Sequence, residues 1–128
     1  MKSFNNSEIF IKTKNAYEKQ ISNHGFSPRG VFWQSDNTQQ SRFETLIKAI
    51  KLSDQNGKVS ISDFGCGYGA LYQYIKNKPF MKGSLYIGYD IVDSFINEAK
   101  QRFPHSEWIC SEKILKETDY IFISGTFN

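Results

Sequence analysis

The residues with chemical potential are concentrated in one heptapeptide, Asp63-Phe64-Gly65-Cys66-Gly67-Tyr68-Gly69, and one later carboxylate, Asp90. Alternating glycines let the backbone turn through positive φ and let a ligand approach with no Cβ in the way. The free N–H groups of a helix that follows such a turn favour an anionic group. A glycine-rich turn alone is a weak signal, because any tight turn has that composition. The loop also fits the dinucleotide form G-x-G-x-x-A through Gly65, Gly67 and Ala70. Asp63, two positions before the first glycine, separates these readings. A dinucleotide sets a doubly negative pyrophosphate at the turn, where a neighbouring carboxylate repels it. A nucleoside ligand with cationic groups and a single carboxylate suits Asp63 better. Asp90 could accept hydrogen bonds from both ribose hydroxyls, or serve only as a helix cap or polar strand end. Ile91 could pack against the base.

The elements that must position these residues follow from apolar spacing. Val59, Ile61 and Phe64 make a short strand ending in the glycines, and Ala70 to Lys76 is a helix stopped before Pro79. Leu85 to Tyr89 is a second strand, and Gly88 within it would let neighbouring backbone come close. Asp93 or Ser94 caps a helix carrying Phe95, Ile96, Ala99 and Phe103. Glu107 to Cys110 and Tyr120 to Ile123 are the third and fourth strands. Upstream, helices are expected from Ser7 to Ser22 and from Thr38 to Leu52. The second presents Phe43, Leu46, Ile47 and Ile50, and Gln55-Asn56-Gly57 closes it. Strands alternating with helices imply a parallel sheet, with the ligand beyond the strands' carboxyl ends. The fold class is thus α/β, a Rossmann-like doubly wound parallel sheet with N-terminal helices. Residues 1–57 are expected as a helical segment packing on a core of residues 58–128.

Val59 to Gly69 resembles motif I of the class I S-adenosylmethionine-dependent methyltransferases, and Tyr86 to Ile91 resembles their second motif. Asp119 to Gly125 is similar to the strand bearing the fourth. The resemblance covers about Lys58 onward. It implies S-adenosyl-L-methionine as cofactor, with Asp63, Gly65, Cys66, Gly67 and Gly69 at the methionine part and Asp90 and Ile91 at the nucleoside. It places Ser111 or Glu112 near the adenine amino group and Ser124 at the fourth strand end. Gln34 and Arg42 resemble a covering segment of some small methyltransferases. Arg42 could pair with the cofactor carboxylate or be a solvated helix residue. The strand order implied is three-two-one-four. Catalysis would be in-line methyl transfer governed by alignment, and no catalytic residue is assigned. Cys66 reads as a packing residue.

Ser124-Gly125-Thr126-Phe127 stands where enzymes that methylate amino groups on bases or glutamine carry Asn/Asp-Pro-Pro-aromatic. The expected acceptor is therefore a small molecule, and nucleic acid is not expected. The family's sheet usually has seven strands, so this chain reads as truncated after the fourth, inactive alone and prone to self-association through that strand's edge. The alternatives are a non-catalytic S-adenosylmethionine-binding module and an NAD-type oxidoreductase.

The rest of the composition adds exclusions. The net charge of +3 is small, and Lys76, Lys78 and Lys82 read as a solvated turn. Cys66 and Cys110 give neither a disulfide framework nor metal spacing, and His24 and His105 stand alone. With no apolar run of membrane-spanning length and no signal peptide, a cytoplasmic location is the default.

Overall fold

The computed structural model describes residues 36–50 and 58–123. The expected helix from Ser7 to Ser22, Gln34, Gln55-Asn56-Gly57 and the segment from Ser124 lie outside the described residues. The expected helix from Thr38 to Leu52 corresponds to α1, Asp36–Ile47. It stops early because its backbone tightens. Ala49 N–H bonds Leu46 O at 3.0 Å and Ile50 N–H bonds Ile47 O at 2.9 Å, a three-residue spacing. The tightened turn brings Ile50 into the core beside Phe43.

From residue 58 the elements are β1 (Ser60–Phe64), α2 (Ala70–Ile75), a 3₁₀ turn (Pro79–Met81), β2 (Leu85–Asp90), α3 (Asp93–Arg102), β3 (Glu107–Cys110) and β4 (Tyr120–Ile123). All pairings are parallel, and the order is β3-β2-β1-β4, as the family resemblance implies. Pro79 opens the 3₁₀ turn, where its missing N–H is not needed. Asp93 lies in the first turn of α3, and Lys100 and Arg102 in the last, each complementing the helix dipole. The cap differs from expectation. Val92 is the N-cap, and no side chain caps the helix. The carboxylate of Asp90, two residues upstream, accepts the Val92 N–H instead.

The register sorts the residues onto two faces. Ile61 pairs with Tyr86 and Tyr120, and Asp63 pairs with Gly88 and Phe122, while Gly88 pairs with Trp108. Because side chains alternate along a strand, these residues share one face. The three helices pack there, through Phe43 of α1, Leu71 and Ile75 of α2, and Ile96 and Ala99 of α3. The other face is covered differently. The β3–β4 connection crosses it with no helix. Leu115 N–H donates to the Tyr89 hydroxyl at 3.2 Å and Thr118 Oγ1 to Ser62 Oγ at 2.8 Å. At the strand start, Asp119 accepts from Ser60 N–H at 2.8 Å. This strap buries Ser62, Ile87 and Tyr89, while Ile121 and Ile123 of β4 stay exposed. Among the described residues β4 pairs only with β1, which leaves its outer edge open.

Gly88 has a different role from the one expected. A Cβ there would meet the Trp108 ring at 2.4 and 2.5 Å and Cys66 Sγ at 3.0 Å. The close neighbour is thus an indole rather than backbone. Trp108 is held by its Nε1–H, which donates to Phe103 O at 2.9 Å, so the ring has little room to retreat. We expect Gly88→Ala to destabilise the fold by about 1–3 kcal/mol, the usual cost of overpacking. Urea unfolding checks this, and an unchanged midpoint would show that the ring moves freely.

Candidate cofactor site

The glycine loop leaves β1 at its carboxyl end and is fastened to β2. Gly65 and Cys66 both donate their N–H to Tyr89 O, at 2.8 and 2.9 Å. Gly67 donates to Asp90 Oδ2 at 2.8 Å. Gly69 N–H then bonds Cys66 O at 3.1 Å and closes the turn into α2. Gly67 has φ 59° and Gly69 φ 100°, left-handed values that favour glycine. Gly69 is also fixed by packing. A Cβ there would approach the Phe103 and Trp108 rings to 2.9–3.1 Å. Four loop N–H groups, those of Gly65, Cys66, Gly67 and Gly69, are therefore committed to intramolecular bonds before any ligand arrives.

Asp90 receives two of the bonds that organise this end of the sheet. Its Oδ2 accepts from Gly67 and its Oδ1 from Val92 at 3.0 Å. One carboxylate thereby joins the glycine loop to the start of α3. Burial pushes its pKa up to about 6, opposed by the N–H groups of Val92, Gly67 and Ile91. A carboxylate has about four lone-pair sites, so two backbone donors leave capacity for hydroxyl donors from a ligand.

Asp63 has no solvent exposure. It lies on the helix-covered face, and the Tyr86 hydroxyl donates to its Oδ2. Burial and the nearby Asp63 carboxylate push the Tyr86 phenol well above its usual range, which keeps it a donor. Any influence of Asp63 on a ligand in this conformation passes through the loop rather than by open contact. Cys66 is buried, and its S–H donates to Gly67 O at 3.4 Å. Burial, then Asp90 and Asp63, push this thiol well up, so it stays neutral and is a poor nucleophile. That agrees with its reading as a packing residue.

The remaining expected residues divide by location. Ile91 is half-buried against Tyr68, Val92 and Phe95. Ser111 N–H bonds Asp90 O at 3.0 Å, which sets the ends of β2 and β3 side by side. The Ser111 hydroxyl is engaged locally with Lys113, donating to its carbonyl and accepting its N–H. Glu112 is exposed next to it. The structure thus brings Asp63, the glycines, Asp90, Ile91 and Ser111 to one end of the sheet. Arg42 is exposed on α1, and Ser124 lies outside the described residues.

Three contributors were missed by reading the sequence: Tyr86, the Tyr89 carbonyl and Val92. The parity of β2 offered a signal for Tyr86, since it and Gly88 share a face. The other two act through backbone, which residue type does not reveal. Among the described residues no cluster of His, Cys, Asp and Glu could hold a metal ion, and no helix is long and apolar enough to cross a membrane. A cavity of about 480 Å³ opens at the opposite end of the sheet, lined by Tyr72, Lys76, Ser84, His105 and Glu107 among others. It is far from the glycine loop along the strands, and the hydrogen bonding around Asp90 outweighs its volume as a mark of function.

No family model matches the chain. It is 39% identical over 72 residues to the candidate methyltransferase Rv1506c of Mycobacterium tuberculosis, a match covering 54% of this chain and 42% of that protein. Among solved structures, the plantazolicin methyltransferase BpumL in complex with a pentazolic desmethylPZN analog and SAH superposes with a TM-score of 0.62 at 22% identity. That match covers 91% of this chain and 48% of BpumL. A TehB-like SAM-dependent methyltransferase from Corynebacterium glutamicum superposes with a TM-score of 0.50 at 18% identity, covering 86% of this chain and 53% of that one. The chain thus spans about half the length of the proteins it matches. Over its four parallel strands, it has the Rossmann-like fold of the class I S-adenosylmethionine-dependent methyltransferases.

Proposed function

We propose that the protein is an S-adenosylmethionine-dependent methyltransferase and that the described residues form its cofactor-binding part. The observation that carries this reading is Asp90, a buried carboxylate at the end of β2 bonded to the glycine loop at Gly67. Among the described residues it has no lysine or arginine partner, so its remaining lone pairs suit neutral hydroxyl donors such as those of a ribose. Ile91, beside it and half-exposed, offers an apolar surface to a base. Gly65, Gly67 and Gly69 would take the amino-acid arm, with Asp63 beneath them, and Ser111 and Glu112 would stand near the base. Two buried carboxylates at one loop disfavour a pyrophosphate, which supports this reading over an NAD-type oxidoreductase. The crystallised relatives with bound SAH support it too.

When bound, the cofactor supplies an electrophilic methyl on its sulfonium. This chain's residues would hold the nucleoside, orient the arm and keep water from the buried carboxylates. No described side chain is placed as a general base, so alignment of the acceptor is the main contribution expected of the protein. We assign the acceptor to small organic molecules. Coclaurine N-methyltransferase, which superposes with a TM-score of 0.53 at 15% identity over 72% of this chain and 30% of its own, was solved bound to N-methylheliamine. A cytoplasmic location, and self-association through the open edge of β4, belong to the same reading.

Calorimetry should show binding of S-adenosylhomocysteine and no heat with NAD. In a folded protein, Asp90→Ala should weaken the former by about 1–3 kcal/mol, the cost of hydrogen bonds to a charged acceptor. Binding of NAD in place of S-adenosylhomocysteine would overturn the assignment.

The raised pKa of Asp90 adds a pH dependence. Between the ordinary carboxylate value of 3.8 and about 6, the folded protein holds a proton that the unfolded chain releases. This contribution to stability is therefore full below the lower value and is lost as pH rises through the upper one. Ligand affinity should run the other way, rising through about pH 6 as the carboxylate ionises to accept two hydroxyls. Urea midpoints and calorimetry across this range check both trends. Asp90→Asn should flatten each, and an identical slope in that variant would assign the dependence to another group.

A further inference from the structure

The cavity at the end of the sheet opposite the glycine loop has a volume of about 480 Å³, in the range of small-molecule pockets. It opens at the amino ends of β2 and β3, between the end of α2 and the α3–β3 connection. Strand β2 reaches both sites, with Leu85 at the cavity and Asp90 at the glycine loop. Five strand steps separate these residues, about 16 Å, so one small ligand does not span both.

Part of the cavity wall is aromatic and fixed. Tyr72 packs on Tyr86 with centroids 4.9 Å apart, and meets Phe103 at 5.1 Å and Trp108 at 5.8 Å. A ring already held by three others has little rotamer freedom left to lose when a ligand packs on it. Met81 and Leu85 add aliphatic surface, and Leu85 is 49% exposed. An apolar body seated there removes that surface from water.

The polar lining divides into groups that are engaged and groups that are open. Ser84 Oγ donates to Phe80 O at 2.7 Å and accepts the Val59 N–H at 3.0 Å. The two oxygens of Glu107 accept from Lys116 Nζ at 2.9 and 3.0 Å, which offsets the carboxylate charge. Among the described residues, the side chains of Lys76, His105 and Ser106 have no hydrogen bond or ion pair. Lys76 Nζ lies 5.5 Å from the centre of the Phe103 ring, a contact that steadies the ammonium beside the cavity. An ammonium, an imidazole and a hydroxyl can all donate. Next to a carboxylate that is already paired, they favour an anionic acceptor.

We infer that this cavity is a binding site for a small organic carboxylate with a planar apolar body, separate from the cofactor site. The carboxylate meets Lys76, with His105 and Ser106 as further donors. The planar body lies on Tyr72 beside Met81 and Leu85. Nothing in this site depends on what occupies the glycine loop.

Three probes test it: benzoate, benzamide, which keeps the shape without the charge, and acetate, which keeps the charge without the ring. Each is titrated into the ¹⁵N-labelled chain. Benzoate should give saturable shifts at the amides of Lys76, Ser84, His105 and Ser106, with Gly65 to Gly69 unmoved. It should bind roughly fivefold more tightly than benzamide, the upper scale of an ion pair that water still reaches, and more tightly than acetate. Lys76 is exposed, and Lys76→Met keeps its aliphatic stem while removing the charge. That variant should bring benzoate down to the level of benzamide and leave benzamide unchanged. Benzoate shifts that fall elsewhere, or that never saturate, would overturn the site. So would a wild type that binds benzoate no better than benzamide or acetate, or a Lys76→Met variant that keeps the preference.

Discussion

The carboxylate of Asp90 is the constraint on which the site end of this molecule depends. It is buried at the end of the central strand β2, and its two oxygens take N–H groups from separate segments, Gly67 of the glycine loop and Val92 at the head of α3. The Tyr89 carbonyl just before it takes two more, from Gly65 and Cys66. The loop is thus fixed by the backbone and one side chain of the neighbouring strand, and little by its own sequence. Burial makes the ionised carboxylate costly, and the backbone donors offset part of that cost. A buried acceptor with lone pairs to spare beside a glycine turn is where a ribose would complete the bonding.

The arrangement also explains why so much aromatic mass gathers beneath the loop. Tyr72, Tyr86, Phe103 and Trp108 contact one another with centroids between 4.9 and 6.0 Å. They fill the space left by two glycines, Gly69 at the start of α2 and Gly88 in β2. In these positions the glycines admit rings as much as they permit turns. The aromatic layer supports the loop from below, so the loop can be glycine-rich without being loose.

Much of this was legible in the sequence. The strands and the glycine loop follow from short apolar runs broken by glycines, and the order three-two-one-four from the resemblance of the motifs to the methyltransferase family. Strand parity alone places Ile61 and Asp63 together. What the sequence did not reveal depends on backbone or on distant partners. The cap of α3 is a backbone N–H bonded to Asp90 rather than the side chain of Asp93 or Ser94. Asp63 could have met a ligand directly or through backbone and water, and its complete burial depends on packing that residue type does not reveal. The β3–β4 strap has no apolar periodicity, because a few hydrogen bonds to Tyr89, Ser62 and Ser60 hold it. α1 ends early because of a change in hydrogen-bond spacing that no residue type announces.

The central claim is that a nucleoside with a cationic arm binds at the carboxyl end of β1 and β2. The most direct test is to titrate S-adenosylhomocysteine into the ¹⁵N-labelled chain and follow its amide resonances. The account predicts that the largest shifts fall on Gly65 to Gly69 and on Asp90 to Val92, with Leu85 and Glu107 at the other end of the sheet unmoved. Shifts concentrated around Lys76, Ser84 and His105, or no shift at the glycine loop at saturating ligand, would contradict it.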